Sequence, residues 1–310
     1  MFKNLVFSGG GIKIFIFAGC LKYLFEHNLI DNLEAICGTS TGSILATGLA
    51  LNYNISEITE LLLKLDFSKF NNIDSEGILN FFDNFGLDNT NELERVFRII
   101  IKAKVGNDDI TFKELYEKTN KNLAITSTNL NKMETEFFDY KKTPDFKVID
   151  AIICSISIPF IFSPKKLQDN YYIDGALTNH YPIEYFKDDL DNTLGFINVK
   201  NIDKTQEIKS LEEYLFAVSL CSMTKLIKNT INSYSENTIV IESEQNSIEF
   251  NLSIEKKYEL INYGYELTSE FFKKRNKRSV STDEDIDEEA QNIENIIENI
   301  IENNSNHKET

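Results

Sequence analysis

The chain opens with two copies of one hydrophobic pattern. A strand-type apolar run, "KNLVF", passes through "SGGG" into an apolar stretch from Ile12 to Leu24 suited to a buried helix. A second run, "LEAIC", passes through "GTSTG" into "SILATGLALN", a second buried helix. Strand, glycine turn and helix, repeated, predict βαβ units and a parallel sheet. Residues 55–122 read as largely helical. Asn91 is placed as an N-cap with Glu94 three positions on, and Thr111 with Glu114 repeats the device. "NLAITSTNL" returns to strand character, "FKVIDAIICSIS" to a buried helix, and "NYYIDGALTNH" to a strand ending in a turn. "GFINVK" and "NTIVIES" predict further strands, and 252–274 a closing helix.

Seven of the thirteen glycines fall in the first fifty residues. That puts the unusual backbone at the carboxyl ends of the first two strands, where α/β folds place their sites. Three glycines in a row weaken any regular element. Bare backbone is needed there, for a tight turn or for N–H groups offered to a ligand.

At 310 residues and 42% hydrophobic, the chain can bury a sizeable core. Composition changes at the end, so residues 1–272 are assigned to the folded domain and 273–310 to a basic-then-acidic tail. "KKRNKR", 273–278, reads as a solvated helix end or a nuclear import signal. Residues 282–310 hold ten acids and one base, with Ile293, Ile296, Ile297, Ile300 and Ile301 at helical spacing. A short amphipathic helix and a flexible segment both fit that pattern. Net charge is −17, and the rest of the chain is acidic too, which excludes the basic field of a nucleic-acid binder and gives no help on anionic headgroups.

Cys20, Cys37, Cys154 and Cys221 show no paired spacing, which argues against a zinc site or a disulfide scaffold and suits a reducing compartment. The first apolar run is stopped by "SGGG", and no stretch reaches the roughly 18 apolar residues of a membrane span. The expectation is an intracellular protein, soluble or peripheral to a membrane, without a signal peptide. The three phenylalanines of "GILNFFDNFG", 77–86, read as core residues or as an interfacial lid.

Candidate chemistry centres on "GTSTG", with Ser40 between Gly38 and Gly42 on a strand-to-helix turn. A nucleophile elbow exposes its serine at such a turn and needs small neighbours. The following helix points free N–H groups towards Ser40. Attack by a serine on an ester makes an oxyanion that needs preorganised donors. The glycine turn Gly9–Gly11 lies beside Ser40 in a parallel sheet, so the Gly10 and Gly11 N–H groups are the candidates. Lys13 either adds positive charge nearby or sits at the surface. A dinucleotide fingerprint fails, because the third glycine position from Gly9 and Gly11 is Ile14.

Two bases remain open. Of the histidines, His27 ends the first helix and His307 lies in the tail, which leaves His180. The other candidate is Asp174, at the end of "YYI" and followed by Gly175 and Ala176 in a tight turn.

These blocks, in order, resemble the patatin-like phospholipase family. "SGGGIK" is similar to its glycine-rich oxyanion motif, "GTSTG" to its elbow and "DGA" to its aspartate motif. "AITSTNLN", "SISIPFIFSP", Gly19, Asn179 and Pro182 also match, and the resemblance spans roughly residues 3–272. It implies a three-layer α/β/α fold with a mostly parallel central sheet. It implies hydrolysis of lipid acyl esters by a Ser–Asp dyad without histidine, cofactor or metal, with peripheral membrane contact. By carry-over Ser40 is the nucleophile, Asp174 the base, and Gly9, Gly10 and Gly11 the oxyanion loop supported by Lys13. One departure is Ile14, where the family has glycine, which leaves a catalytically weak lipid- or partner-binding protein as an alternative. A Ser–His–Asp esterase using His180 is another.

Overall fold

The computed structural model describes residues 1–65, 81–199, 229–243 and 251–276, with single positions between 208 and 249. The chain divides into two compact units, Met1–Tyr265 and Glu266–Thr310, and in the second, residues 266–276 are helical. Residues 277–310 lie outside the described residues, and with them the acidic segment, its isoleucines and the last two residues of the basic run. So do Cys221 and residues 77–80 of the phenylalanine cluster.

In the first unit β1 (Asn4–Phe7) and β2 (Ala35–Thr39) run parallel, joined through α1 (Ile14–Glu26), and both strands are buried throughout. Continuous burial is what a parallel strand covered on both faces requires. α2 (Thr41–Ala50) and α3 (Ile55–Lys64) follow. α4 (Phe81–Asn84), β3 (Gly86–Asp88), α5 (Asn91–Val105) and α6 (Phe112–Thr119) then lead to β4 (Asn122–Asn129), which pairs with β2 in parallel. β5 (Glu134–Asp139), α7 (Val148–Ile156), β6 (Phe160–Phe162), β7 (Lys165–Leu167) and β8 (Asn170–Asp174) come next. β9 (Thr193–Val199) and β10 (Thr238–Glu242) complete the sheet, and residues 254–265 are helical.

The main sheet has the order β10-β9-β1-β2-β4-β8-β7, with β5 also on β4. β1, β2, β4, β9 and β10 are mutually parallel, and β5, β7 and β8 join antiparallel. On one face Phe17 of α1 packs against Phe7 and Phe196. On the other, Val6, Cys37, Ala124 and Ile197 form a cluster with Tyr181, Ile183 and Phe186, joined by Ile231 of a helical segment and by Tyr234 just after it. The fold is thus α/β in three layers around a mostly parallel sheet. The chain builds from β1 to β2 and β4 on one side and returns to β9 and β10 on the other, so the loop after β1 lies at a switch in strand order.

Several local expectations change. Thr111 and Glu114 do form a reciprocal capping box, but Asn91 is not an N-cap. Thr90 takes that position at φ 62°, and the Asn91 N–H bonds Asn89 Oδ1 instead. Glu94 is drawn to Arg98 and Lys165. β5, β6 and β7 carry no strand pattern strong enough to be read. Phe85 is no core residue: it is 60% exposed at φ 55°.

Candidate active site

β4 brings the site together. On one edge its residues Ala124 to Asn129 pair with β5, so β2 and β8 must share the opposite edge. β2 occupies that edge up to the pair Thr39↔Thr126, and β8 takes over at Ser127↔Asp174. Ser40, one residue past Thr39, therefore faces the end of β8.

Ser40 Oγ donates to Asp174 Oδ2 at 2.5 Å. Both residues are buried, Ser40 5% and Asp174 3% exposed. Ser40 has φ 53° and ψ −129°, a conformation a serine adopts only under constraint. The constraint is visible on both sides. The Ser40 N–H donates to Ser155 Oγ of α7 at 2.8 Å, and its carbonyl accepts from the Ser43 N–H and hydroxyl at 2.8 and 2.6 Å. The small neighbours are required by distance. A Cβ on Gly38 would lie 2.4 Å from the Gly42 oxygen, and one on Gly42 would lie 2.5 Å from the Phe7 and Ser8 oxygens.

Asp174 is held on all sides. Its Oδ1 accepts the Ala176 N–H at 2.8 Å, its N–H bonds the Ser157 carbonyl and its carbonyl accepts from Thr128 Oγ1. Burial pushes its carboxyl up to about 7, against the opposing pull of the Ser40 hydroxyl and Ala176 N–H bonds. Gly175, tight against the Thr126 carbonyl, completes the turn.

Among the described residues the Gly10 and Gly11 N–H groups have no intramolecular acceptor, and Gly11 is at φ 56°. Gly9 is withdrawn as a donor, because its N–H is committed to the His180 carbonyl at 3.1 Å. Lys13 is buried, not at the surface, with Nζ 3.3 Å from the Ser243 carbonyl. Ile14 is fully buried, so its extra bulk is taken up in the core. Gly19 permits close packing, since a Cβ there would lie 1.8 Å from the Ile261 oxygen. Asn179 bonds Glu184, and Pro182 precedes the 3-10 turn Ile183–Phe186. Among the described residues His180 makes no hydrogen bond to Ser40. Its Nε2 bonds the Asn198 carbonyl at 3.1 Å, and burial pushes it down to about 4, with that bond opposing and Lys13 reinforcing the shift.

The chain matches the family described as patatin-like phospholipase over residues 5–187. It belongs to the patatin-like phospholipase family. This patatin-like chain is 35% identical over 274 residues to the uncharacterized protein R571 of Acanthamoeba polyphaga mimivirus, covering 84% of itself and 91% of that protein. It is 32% identical over 207 residues to the probable lipid hydrolase 463L of Invertebrate iridescent virus 6, covering 67% and 68%. The structure of VipD from Legionella pneumophila matches with a TM-score of 0.62 at 19% identity, over 88% of this chain and 67% of that one, a likeness of fold. The family is one of lipid hydrolases. Among the described residues no helix is long and apolar enough to cross a membrane, and no group of three metal-ligating side chains occurs.

Ser8 and Ser155 open the matched blocks "SGGGIK" and "SISIPFIFSP", but the sequence assigned neither a role, and Asn198 left no trace inside "GFINVK".

Two measurements test this geometry. Gly42→Ala should destabilise the protein by about 1–3 kcal/mol, because the added methyl meets backbone oxygens that cannot move aside; denaturant titration reads it. The folded Asp174 pKa lies above its unfolded value, so its protonated form favours folding at low pH. That contribution is complete below the unfolded pKa and is lost as pH rises through about 7. Asp174→Asn should therefore gain stability relative to wild type between about pH 4 and 7, as followed by melting curves across that range.

Proposed function

We propose that the protein is a serine acyl hydrolase of lipids, of phospholipase A or lysophospholipase type. Ser40 is its nucleophile, Asp174 its base, and the Gly10 and Gly11 N–H groups are its oxyanion donors. The observation that carries the reading is the 2.5 Å hydrogen bond from the Ser40 hydroxyl to the Asp174 carboxyl. Ser40 Oγ attacks the acyl carbon as Asp174 Oδ2 takes its proton. The oxyanion collapses, the ester C–O bond breaks, and the proton passes to the leaving alcohol. Asp174 then takes a proton from water, which attacks the acyl–serine ester; the Ser40 ester bond breaks, the proton passes from Asp174 to Ser40 Oγ, and the fatty acid is released.

A carboxyl pushed up to about 7 is matched to this role, since a base works best with a pKa near the operating pH. Family membership and the viral lipid hydrolase relative support a lipid ester as substrate. Peripheral membrane contact follows from a substrate that resides in an interface. Residues 1–272 are proposed as the catalytic unit and 273–310 as its tail.

Ser40→Ala and Asp174→Asn should each lower hydrolysis of phospholipid or lysophospholipid esters by about 10³-fold or more. A fluorophosphonate should label the wild type and spare Ser40→Ala. Hydrolysis that survives in either variant at the wild-type rate removes the dyad. Wild-type kcat/KM should rise with pH through about 7, as Asp174 ionises.

A further inference from the structure

What aims the Gly10 amide? A peptide unit is planar and trans, so its C=O and N–H point in opposite directions. The Gly9 carbonyl and the Gly10 N–H belong to one such unit. The Gly9 oxygen is held by two donors, Ser8 Oγ at 2.8 Å and Asn198 Nδ2 at 3.4 Å. Both donors are buried. Holding that oxygen against them turns the Gly10 N–H the other way.

The two donors belong to one circuit. Ser8 Oγ also accepts the Asn198 N–H at 2.9 Å. The Asn198 carbonyl accepts from His180 Nε2 at 3.1 Å, and because a carbonyl cannot donate, Nε2 must carry the ring proton. The His180 carbonyl accepts the Gly9 N–H at 3.1 Å. Four hydrogen bonds thus close a ring from Gly9 to His180, Asn198, Ser8 and back to Gly9. It ties the end of β1 to the segment after Asp174 and to β9. In a low-dielectric interior the bonds of such a ring reinforce one another.

Bare backbone at this point also leaves room for the ring's side chains. A Cβ on Gly9 would meet His180 Nδ1 and the Ala176 Cβ at 3.3 Å, and one on Gly10 would meet Asn198 Nδ2 at 2.1 Å. Among the described residues no hydrogen bond is made by His180 Nδ1 or Asn198 Oδ1, both buried.

We propose that Ser8, His180 and Asn198 are positioning residues that lock the Gly9–Gly10 peptide so that its N–H faces the oxyanion formed at Ser40, an inference that rests on the hydrolase reading above. With that peptide turned over, a carbonyl oxygen replaces the donor and repels the developing negative charge.

The test uses the full chain and a lysophospholipid substrate. Ser8→Ala should lower kcat by about 10- to 100-fold, up to the lower edge of the roughly 100- to 1000-fold cost of removing an oxyanion donor outright because the donor is misdirected and not deleted, with KM held within about twofold. His180→Leu should do the same. His180→Gln, whose amide N–H can reach the Asn198 carbonyl, should return kcat to within about threefold of wild type, although glutamine cannot act as a base. The double variant Ser8→Ala/His180→Leu should be no slower than the worse single variant, because either change opens the same ring. In spectra of glycine-labelled protein, the Gly10 and Gly11 amide signals should move in Ser8→Ala and His180→Leu and stay in His180→Gln.

Wild-type kcat in Ser8→Ala overturns the proposal. So does an effect confined to KM, additive losses in the double variant, or a His180→Gln as slow as His180→Leu. If His180→Leu does not fold, Ser8→Ala alone decides by kcat and by its glycine signals. If the wild type neither hydrolyses the lipid nor reacts with fluorophosphonate, the hydrolase reading fails separately. The ring is then judged by the glycine signals, and unmoved signals in Ser8→Ala overturn it.

Discussion

One edge of β4 carries two strands end to end, β2 as far as Thr126 and β8 from Ser127. Ser40 and Asp174, 134 positions apart in the chain, become neighbours because one strand stops where the other begins. Sheet register is a rigid constraint, since a slip of one residue turns every side chain to the opposite face. The separation of the two groups is therefore fixed by backbone pairing in the most buried part of the molecule. A pair of flexible side chains would offer no such guarantee.

That placement also sets the electrostatics. The carboxyl of Asp174 is desolvated and has a serine hydroxyl and one backbone N–H as donors. Most buried carboxylates are kept charged by a cation. Here burial outweighs the two hydrogen bonds, and the proton is held up to about neutral pH. Backbone strain at Ser40 belongs to the same economy. The bonds from Ser155 and Ser43, and the close approach of Gly38, Gly42 and β1, hold the turn in a conformation it would otherwise leave.

Much of this was legible in the sequence, for identifiable reasons. "KNLVF" and "LEAIC" are continuous apolar runs ended by glycine turns, and a covered parallel strand leaves that pattern. The glycines flanking Ser40 and the one after Asp174 were readable because neighbouring backbone comes too close there for any side chain. What stayed hidden depends on contacts distant in sequence. β5, β6 and β7 are short or half-exposed pieces whose strand character comes from the pairing itself. Asn91 looked like a cap because the left-handed turn at Thr90 cannot be read from residue type. Asn198 is an unremarkable position in a strand until the fold lays it against Gly10, and Gly9 looked like a free donor until His180 arrived to take its amide.

The late arrival of β8 has a consequence for synthesis. A chain emerging from the ribosome folds its early elements first, so β1, β2 and the elbow can assemble while the aspartate strand is still untranslated. Contacts of such long sequence separation form slowly. A nascent molecule would thus hold Ser40 in its turn long before Asp174, and on the proposed reading it would stay inert until β8 had been made and paired.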